Sequence, residues 1–315
     1  MHERAGQTLA LTGATGFVGD ALMKAALAQG YKVRALTRRP QASINNLDWI
    51  NGALNDINAL DELCKGADVV VHVAGAIKAK NHKAFLHVNE TGTKTVLNAA
   101  EKAGVLKQGH FIHVSSLAAR EKGMSSYAYS KYMAEQVFHD TQGQWSIIRP
   151  PAVYGPGDQE TLKLFKAMKM GFAPMVGSKD NRFSLIHVQD LANGILAMAS
   201  KVETYGQTYE ISDANTAGYT MMDMAKQASD IMGWRVRCVP LPTPLVKTVG
   251  AMNDAFAPLF GVIPILGRGK ARELAHSDWV AQHNLLNTTD IWSPTIAAGE
   301  GLDETLKSYA KDNLL

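Results

Sequence analysis

Cysteine is scarce, with only Cys64 and Cys238 in 315 residues. The two stand far apart in no metal or redox spacing. That argues against a disulfide framework, a zinc cluster or a Cys-x-x-Cys pair, and for reduced thiols used in packing. Charge of one sign is also missing, since 32 basic residues stand against 29 acidic ones and the net charge is +3. The one tight basic cluster is Arg38-Arg39. Composition therefore gives no nucleic-acid surface, and no nucleic-acid partner is expected. Long apolar runs are absent as well. The longest, Ala255 to Gly267, is broken by Pro258 and Pro264 and is too short to span a bilayer. His2, Glu3 and Arg4, followed only by the brief run Leu9 to Leu11, make no secretory apolar core. A soluble cytoplasmic protein without a metal is the expectation. No internal repeat or low-complexity tail is visible.

What is present is ordinary globular material, 46% hydrophobic and 19% charged. Strand-like runs occupy Thr8–Thr12, Lys32–Thr37, Val69–Val73, His110–Ser115 and Ser146–Arg149. Helical periodicity fills Phe17–Gln29, Ala59–Cys64, Phe85–Ala103 and Tyr127–His139. Continuous apolar strands such as Val69 to Val71 suit a buried parallel sheet. The alternation predicts an α/β fold, a Rossmann-type doubly wound parallel sheet with a smaller C-terminal substrate-binding cap. Pro150-Pro151 and Gly155-Pro156-Gly157 mark the exit from the sheet. Ser184–His187, a helix Gln189–Ser200 and a strand Gln207–Ile211 look like returns to it. The nucleotide domain is thus expected over 1–151 and 184–212, and the cap over 152–183 and 213–315. Of the 11 prolines, Pro156, Pro174, Pro240, Pro242, Pro244, Pro258, Pro264 and Pro294 fall in the cap, which regular parallel strands would not tolerate.

Thr12-Gly-Ala-Thr-Gly-Phe-Val-Gly19 follows a strand and opens a helix. Gly13 permits a tight turn, Gly16 lets backbone approach a pyrophosphate, and Gly19 allows close helix–strand packing. The helix N-terminus then offers free N–H groups to phosphate. Alone the motif could be a mere turn; in this context it reads as dinucleotide binding. Where an acidic residue would bind the adenosine ribose in an NAD site, the chain has Thr37-Arg38-Arg39. A guanidinium pairs with a 2′-phosphate, so NADP(H) is preferred and NAD(H) remains possible; otherwise the arginines are solvated surface charges. Tyr127 and Lys131 share one helix face, and an ammonium near a phenol lowers its pKa. Ser116, ending the preceding strand, can hydrogen-bond the same substrate oxygen. Together these three make an acid/base site for an alcohol or a ketone.

These motifs resemble, in order, those of the extended short-chain dehydrogenase/reductases, together with Val71-His-Val-Ala-Gly75, Val88-Asn-Glu-Thr-Gly-Thr93 and Arg149-Pro-Pro-Ala-Val-Tyr-Gly-Pro-Gly157. That superfamily includes NAD(P)-dependent epimerases/dehydratases, 3β-hydroxysteroid dehydrogenases and dihydroflavonol reductases, and the likeness covers residues 8–212. It implies that Gly13, Thr15, Gly16, Phe17 and Val18 line the pyrophosphate, with Gly19 completing the turn. Ala74 and Gly75 would follow the adenine-side ribose, and Asn89 would hold the strand ends near the cofactor. Lys131 would also bridge the nicotinamide ribose, with Pro150 and Val153 flanking the nicotinamide. Tyr127 would be the acid/base and Ser116 the oxygen-positioning donor. A homodimer through the helices Phe85–Ala103 and Tyr127–His139 is implied too.

There are departures. Ala53 follows Gly52 where relatives often carry an adenine-binding Asp, leaving adenine to backbone around Leu54, while Asp56 reads as a helix cap. His187 and Asp190 read as a satisfied histidine and a structural Asp cap, and His72 as core. Arg182 stands where sugar-nucleotide members clamp a diphosphate, with Arg272 a second candidate clamp. The reading is an NADP(H)-dependent oxidoreductase for a ketone and secondary alcohol of a small substrate. An apolar segment from Val239 to Leu266, charged only at Lys247 and Asp254, could pack normally or form a lid for a lipophilic ketone. The alternatives are a nucleotide-sugar epimerase with tightly held NAD(P), or a non-catalytic dinucleotide-bound assembly or sensor protein.

Overall fold

A computed structural model describes residues 6–256 and 266–315. Its centre is a seven-stranded, wholly parallel sheet in the order β11-β6-β5-β4-β1-β2-β3. The strands are β1 (Thr8–Thr12), β2 (Lys32–Thr37), β3 (Leu47–Asn51), β4 (Val69–His72), β5 (His110–Val114), β6 (Trp145–Arg149) and β11 (Gln207–Glu210). The winding reverses between β1 and β4, and in such sheets the ligand crevice opens at the strand C-termini beside that reversal. The residues just beyond these strand ends carry the sequence motifs.

Helices cover both faces because each presents a single apolar stripe. α1 (Phe17–Ala28) buries Leu22, Met23, Ala25 and Ala26 against the sheet. α8 (Val188–Met198) packs in the same core through Leu191, Ala192 and Ile195. On the opposite face α2 (Ile57–Cys64) and α4 (Gly92–Lys102) enclose Leu60, Val96 and Phe111. Cys64 lies in this second core, where burial pushes its thiol up to about 12, so it packs and does not react. Fully burying each such aliphatic side chain contributes roughly 1.5–3 kcal/mol. The strand β3 is not visible in the periodicity. It is a short edge strand that buries only Leu47 and Ile50, entered through Asn46 in a left-handed conformation.

A third core, with Phe165, Met168, Ala225, Ala228 and Tyr309, lies in the remaining segments. It brings together α7 (Gln159–Lys169), α9 (Met221–Met232) and α12 (Ala298–Lys311). The expectation that prolines exclude parallel strands here is corrected. Pro174 sits in β8 (Phe172–Val176) and Pro240 in β12 (Arg237–Leu241), and these two strands pair in parallel. A two-stranded ribbon gives every strand an outer edge, where a missing N–H costs nothing. Asp56 does cap α2, accepting from the Ala59 amide at 3.1 Å. The Asp190 reading is overturned: His187 is the N-cap of α8, while buried Asp190 accepts from the Thr295 and Ile296 amides and the Thr295 hydroxyl. Nor is His187 satisfied, for its Nε2 has no hydrogen-bond partner among the described residues.

Candidate active site

The glycine loop leaves no room for side chains. Gly13 has φ +79, and a Cβ there would stand 2.7 Å from the Ala74 amide nitrogen. A Cβ on Gly19 would stand 2.0 Å from the Gly13 carbonyl oxygen, so the helix seats directly on the turn. α1 begins at Gly16 with no side-chain cap, whereas Asp56, Asp158 and Thr220 cap α2, α7 and α9. Thr15 and Gly16 are exposed. The first-turn amides thus stay open to an outside acceptor, which is what a diphosphate requires.

Behind the loop runs a hydrogen-bond chain whose direction is forced. Thr93 Oγ1 donates to the Asn89 carbonyl at 2.6 Å, so toward His72 Nε2, at 3.1 Å, it can only accept. Burial lowers the His72 pKa to about 3, so the ring is neutral and its Nδ1 is an acceptor. The Thr12 hydroxyl fills that role as donor at 2.7 Å and itself accepts from the Ala74 amide. His72 is therefore more than core; it locks the ends of β1 and β4 to the helix beyond. That helix runs from α3 (His82–Leu86) through a π-type turn at His87–Thr91 into α4. The widened turn points the Asn89 side chain at the Ala76 backbone, accepting at 2.7 Å and donating at 3.0 Å. Asn89 also donates to Ser130 Oγ, which donates to the Tyr127 carbonyl. One network thus spans the loop, the strand ends and the helix α6 (Ser126–Gln136).

Tyr127 and Lys131 lie on α6, which starts at Ser125 because that side chain accepts from the Ala128 amide. The Ser116 hydroxyl lies near enough to the Tyr127 phenol to lower its pKa. Lys131 Nζ donates to the Val114 carbonyl at 2.8 Å and faces Gly75, whose missing Cβ would stand 3.8 Å away. The expected depression of the phenol by this ammonium is not what the structure shows. Burial raises the Tyr127 pKa, the Ser116 contact opposes it, and Glu273 adds to the rise. Burial also pulls Lys131 down to about 8, against the pull of the Glu135 carboxylate. The phenol is consequently a held proton, suited to donation.

Tyr127 opens into a cavity of about 1170 Å³, whose walls include Ile77, Phe85, Tyr129 and Arg272. Arg182 is not among the residues around it. Its guanidinium reaches the Ala217 and Gly218 carbonyls instead. Part of the lining comes from α11 (Arg268–Ala275), joined by Asp254 alone of α10 (Thr243–Phe256). Glu273 on α11 accepts from Ser125 Oγ at 2.5 Å, tying this wall to the start of α6. Glu273→Gln can keep that hydrogen bond while removing a charge that raises the phenol pKa. The pH limb that reports Tyr127 should therefore move to lower pH. Rate profiles with an alcohol or ketone substrate check this, and an unmoved or upward-shifted limb rejects it.

The sequence model of the NAD dependent epimerase/dehydratase family matches residues 9–212. The chain belongs to that family. A curated relative, the ceramide reductase of Caulobacter vibrioides, is 40% identical over 275 residues, covering 86% of this chain and 85% of that protein. A 3 beta-hydroxysteroid dehydrogenase/Delta 5-->4-isomerase of Mycobacterium tuberculosis is 27% identical, covering 76% and 73%. Among solved structures, the UDP-glucuronic acid 4-epimerase of Bacillus cereus shares the fold, with a TM-score of 0.73 at 18% identity and coverage of 97% and 99%. The chain is thus an NAD(P)-dependent enzyme of the extended short-chain dehydrogenase/reductase type.

In this epimerase/dehydratase-family chain the arginine pair follows β2. Thr37 Oγ1 donates to the Arg39 carbonyl at 2.7 Å and accepts the Arg39 amide, folding the turn that presents both arginines. Arg38 and Arg39 are exposed, and neither pairs with a carboxylate among the described residues. Leu54 packs on Gly92, and the Pro150 carbonyl accepts the Leu117 amide. Val153 is half-buried in β7 (Ala152–Tyr154), paired with Ile186 of β10 (Leu185–His187). Sequence reasoning missed Thr12, Thr93 and Ser130 as site residues. Thr12 and Thr93 stand in the quoted motifs with no role assigned, and the only signal of Ser130 is its polarity on a helix face that packs inward.

Proposed function

We propose that the chain is an NADP(H)-dependent reductase that interconverts a ketone and a secondary alcohol on a lipophilic, ceramide-class substrate. The observation that carries the reaction is the Tyr127 phenol, set near Ser116 and held protonated by burial. The substrate class rests on the likeness to the ceramide reductase, whose identity extends well past residue 212 into the cavity wall. A ceramide carries a secondary alcohol, and its ketone counterpart is the form to be reduced. A bound NADPH supplies the hydride. Tyr127 gives its proton to the carbonyl oxygen as that oxygen gains charge, while Ser116 fixes the oxygen by a second hydrogen bond. Lys131 stands behind both, held between the Val114 carbonyl and the Asn89 corner, where it would meet the ribose.

Gly13, Thr15, Gly16, Phe17, Val18 and Gly19 would hold the diphosphate, with Ala74, Gly75, Leu54, Pro150 and Val153 along the rest of the cofactor. Arg38, more than Arg39, would pair with the 2′-phosphate. The cap over 152–183 and 213–315 would receive the lipid, and α4 with α6 would form a homodimer. A nucleotide-sugar epimerase is disfavoured because Arg182 holds a turn away from the cavity. NADPH consumption with the ketone form of a ceramide, set against UDP-sugars, tests the proposal. Arg38→Ala should remove a preference for NADPH over NADH of about tenfold or more, since a charge-assisted pair contributes about 1.5–3 kcal/mol. Equal use of both cofactors by the unaltered protein, or turnover of UDP-sugars without net cofactor oxidation, overturns it.

A further inference from the structure

The two hydroxyls assigned to the substrate oxygen stand on separate elements. Ser116 follows β5 and opens the tight turn Leu117–Glu121, whereas Tyr127 lies in the first turn of α6. The chain between them runs through Lys122 and Gly123, which are exposed, and a Cβ on Gly123 would meet nothing within 4 Å. Each element is fastened to the sheet separately, the turn by the Leu117 amide on the Pro150 carbonyl and α6 by Glu135 on Arg149. Neither contact joins one hydroxyl to the other, yet proton transfer demands that both meet the same atom in a fixed geometry.

Arg120 joins them by a longer route. It belongs to the Ser116 turn, its side chain is only 14% exposed, and its guanidinium donates to the Val280 carbonyl at 2.9 Å and the Asp278 carbonyl at 3.1 Å. Between those two carbonyls stands Trp279, whose Nε1 donates to the Glu273 carbonyl at 2.8 Å. The Glu273 carboxylate in turn accepts from Ser125 Oγ, the hydroxyl that caps α6 just before Tyr127. α11 also seats directly on that cap, for a Cβ on Gly269 would stand 2.7 Å from the Ser125 Cβ. The circuit from the Ser116 turn through Arg120, Trp279, Glu273 and Ser125 to Tyr127 is therefore closed, and it passes through the α11 lining of the cavity. Arg120 also stands 3.5 Å from the buried Glu210 carboxylate. That contact accounts for a cation at this place, but not for a planar fork laid across two carbonyls.

We propose that Arg120 is a positioning residue for the reaction, setting Ser116 against Tyr127 by way of Trp279 and α11. Its effect on turnover rests on the reading under Proposed function; the tie itself can be read without substrate. Arg120→Lys keeps a cation beside Glu210 but cannot fork across both carbonyls. Trp279→Phe removes one N–H at the far end of the circuit and touches no charge. Hydrogen exchange should quicken severalfold over residues 268–275 in Arg120→Lys and over residues 117–121 in Trp279→Phe, in each case at the end away from the change. Each variant should also lower kcat for the ketone form of a ceramide about tenfold, with KM and NADPH affinity nearly unchanged, since displacing a reacting group by about 1 Å can cost about 10²-fold. In a Ser116→Ala background the same two changes should lower kcat far less, because the hydroxyl they place is gone. Unchanged melting shows that the variants fold. Exchange that quickens only at the altered residue's own end overturns the proposal, as does an undiminished kcat in both variants. An equal loss of kcat with and without Ser116, or a loss of stability or NADPH affinity that accounts for it, leaves Arg120 a merely structural role and overturns the proposal too. If the unaltered protein leaves the ketone untouched while exchange responds at both far ends, the substrate reading fails and the tie between Ser116 and Tyr127 stands.

Discussion

Tyr127→Phe should lower turnover by about 10²–10⁴-fold, the range contributed by a positioned general acid, while leaving cofactor affinity within a fewfold. The phenol oxygen is the only part removed, and the ring keeps its place beside Phe85, 6.2 Å between centroids. What disappears is the proton donor that Ser116 aligns and burial keeps protonated. Ser116 cannot replace it, because a serine hydroxyl is a far weaker acid than a phenol. Tyr132 is the control. It lies on the same helix but outside the residues around the cavity, its ring 4.2 Å from Lys122 Nζ. Tyr132→Phe should therefore leave turnover nearly unchanged. Lys131→Ala should impair both turnover and cofactor binding, since its ammonium lies between the Val114 carbonyl and Gly75. Single-turnover rates and fluorescence titration with NADPH separate the two effects. A Tyr127→Phe protein with full activity would show that the acid lies elsewhere.

The legible parts of this chain are those governed by local rules. β1 and β4 stand out as apolar runs, and the glycine turn follows from the φ that Gly13 adopts and the space that Gly19 lacks. Tyr127 and Lys131 are one helical turn apart, so their shared face needs no tertiary information. Long-range effects were not legible. The Tyr127 pKa is raised because the surrounding fold desolvates it, and no local spacing encodes that. His72 looked like core because nothing in the sequence brings Thr12 and Thr93 to its two nitrogens. Asp190 looked like a cap of its own helix, yet its partners are more than a hundred positions away at Thr295 and Ile296. The two prolines in β8 and β12 misled for a related reason, since only the pairing partner reveals that both strands are edges. Of the apolar cap segment, Leu259 and Phe260 lie outside the described residues, and Phe256 faces outward in place of packing.

Glu135→Ala should destabilise the fold by about 3–5 kcal/mol, as removing one partner of a buried ion pair does. Glu135 is buried on α6 and accepts Arg149 through Nε at 2.9 Å and Nη2 at 2.6 Å, with Ser115 Oγ at 2.5 Å as a third donor. Arg149 closes β6, so this fork clamps the acid/base helix to the central sheet. The Arg149 side chain retains 22% exposure, which lets water take up part of its charge and favours the lower end of that range. A second carboxylate, Glu210, has its Oε1 3.9 Å from Arg149 and without a hydrogen-bond partner among the described residues, while its Oε2 accepts the Gln282 and His283 amides and faces Arg120 at 3.5 Å. Its free oxygen can take up part of the Arg149 charge, which again favours the lower end of that range, while its other oxygen stays with the segment that Arg120 holds through the Asp278 and Val280 carbonyls. The cost is the guanidinium left with one distant carboxylate more than the lost attraction. Replacing both groups together, Glu135→Leu with Arg149→Met, should cost clearly less than the single Glu135→Ala change, because no charge is left unpaired. Equilibrium urea unfolding of the two single variants and the double variant measures the coupling. Additive losses would show that the fork contributes nothing beyond its separate parts. A charge-related consequence accompanies the structural one. The Glu135 carboxylate opposes the burial that pulls Lys131 down to about 8, so its removal should carry Lys131 lower still. In whatever fraction of Glu135→Ala remains folded, cofactor affinity should then weaken at a lower pH than in the unaltered protein.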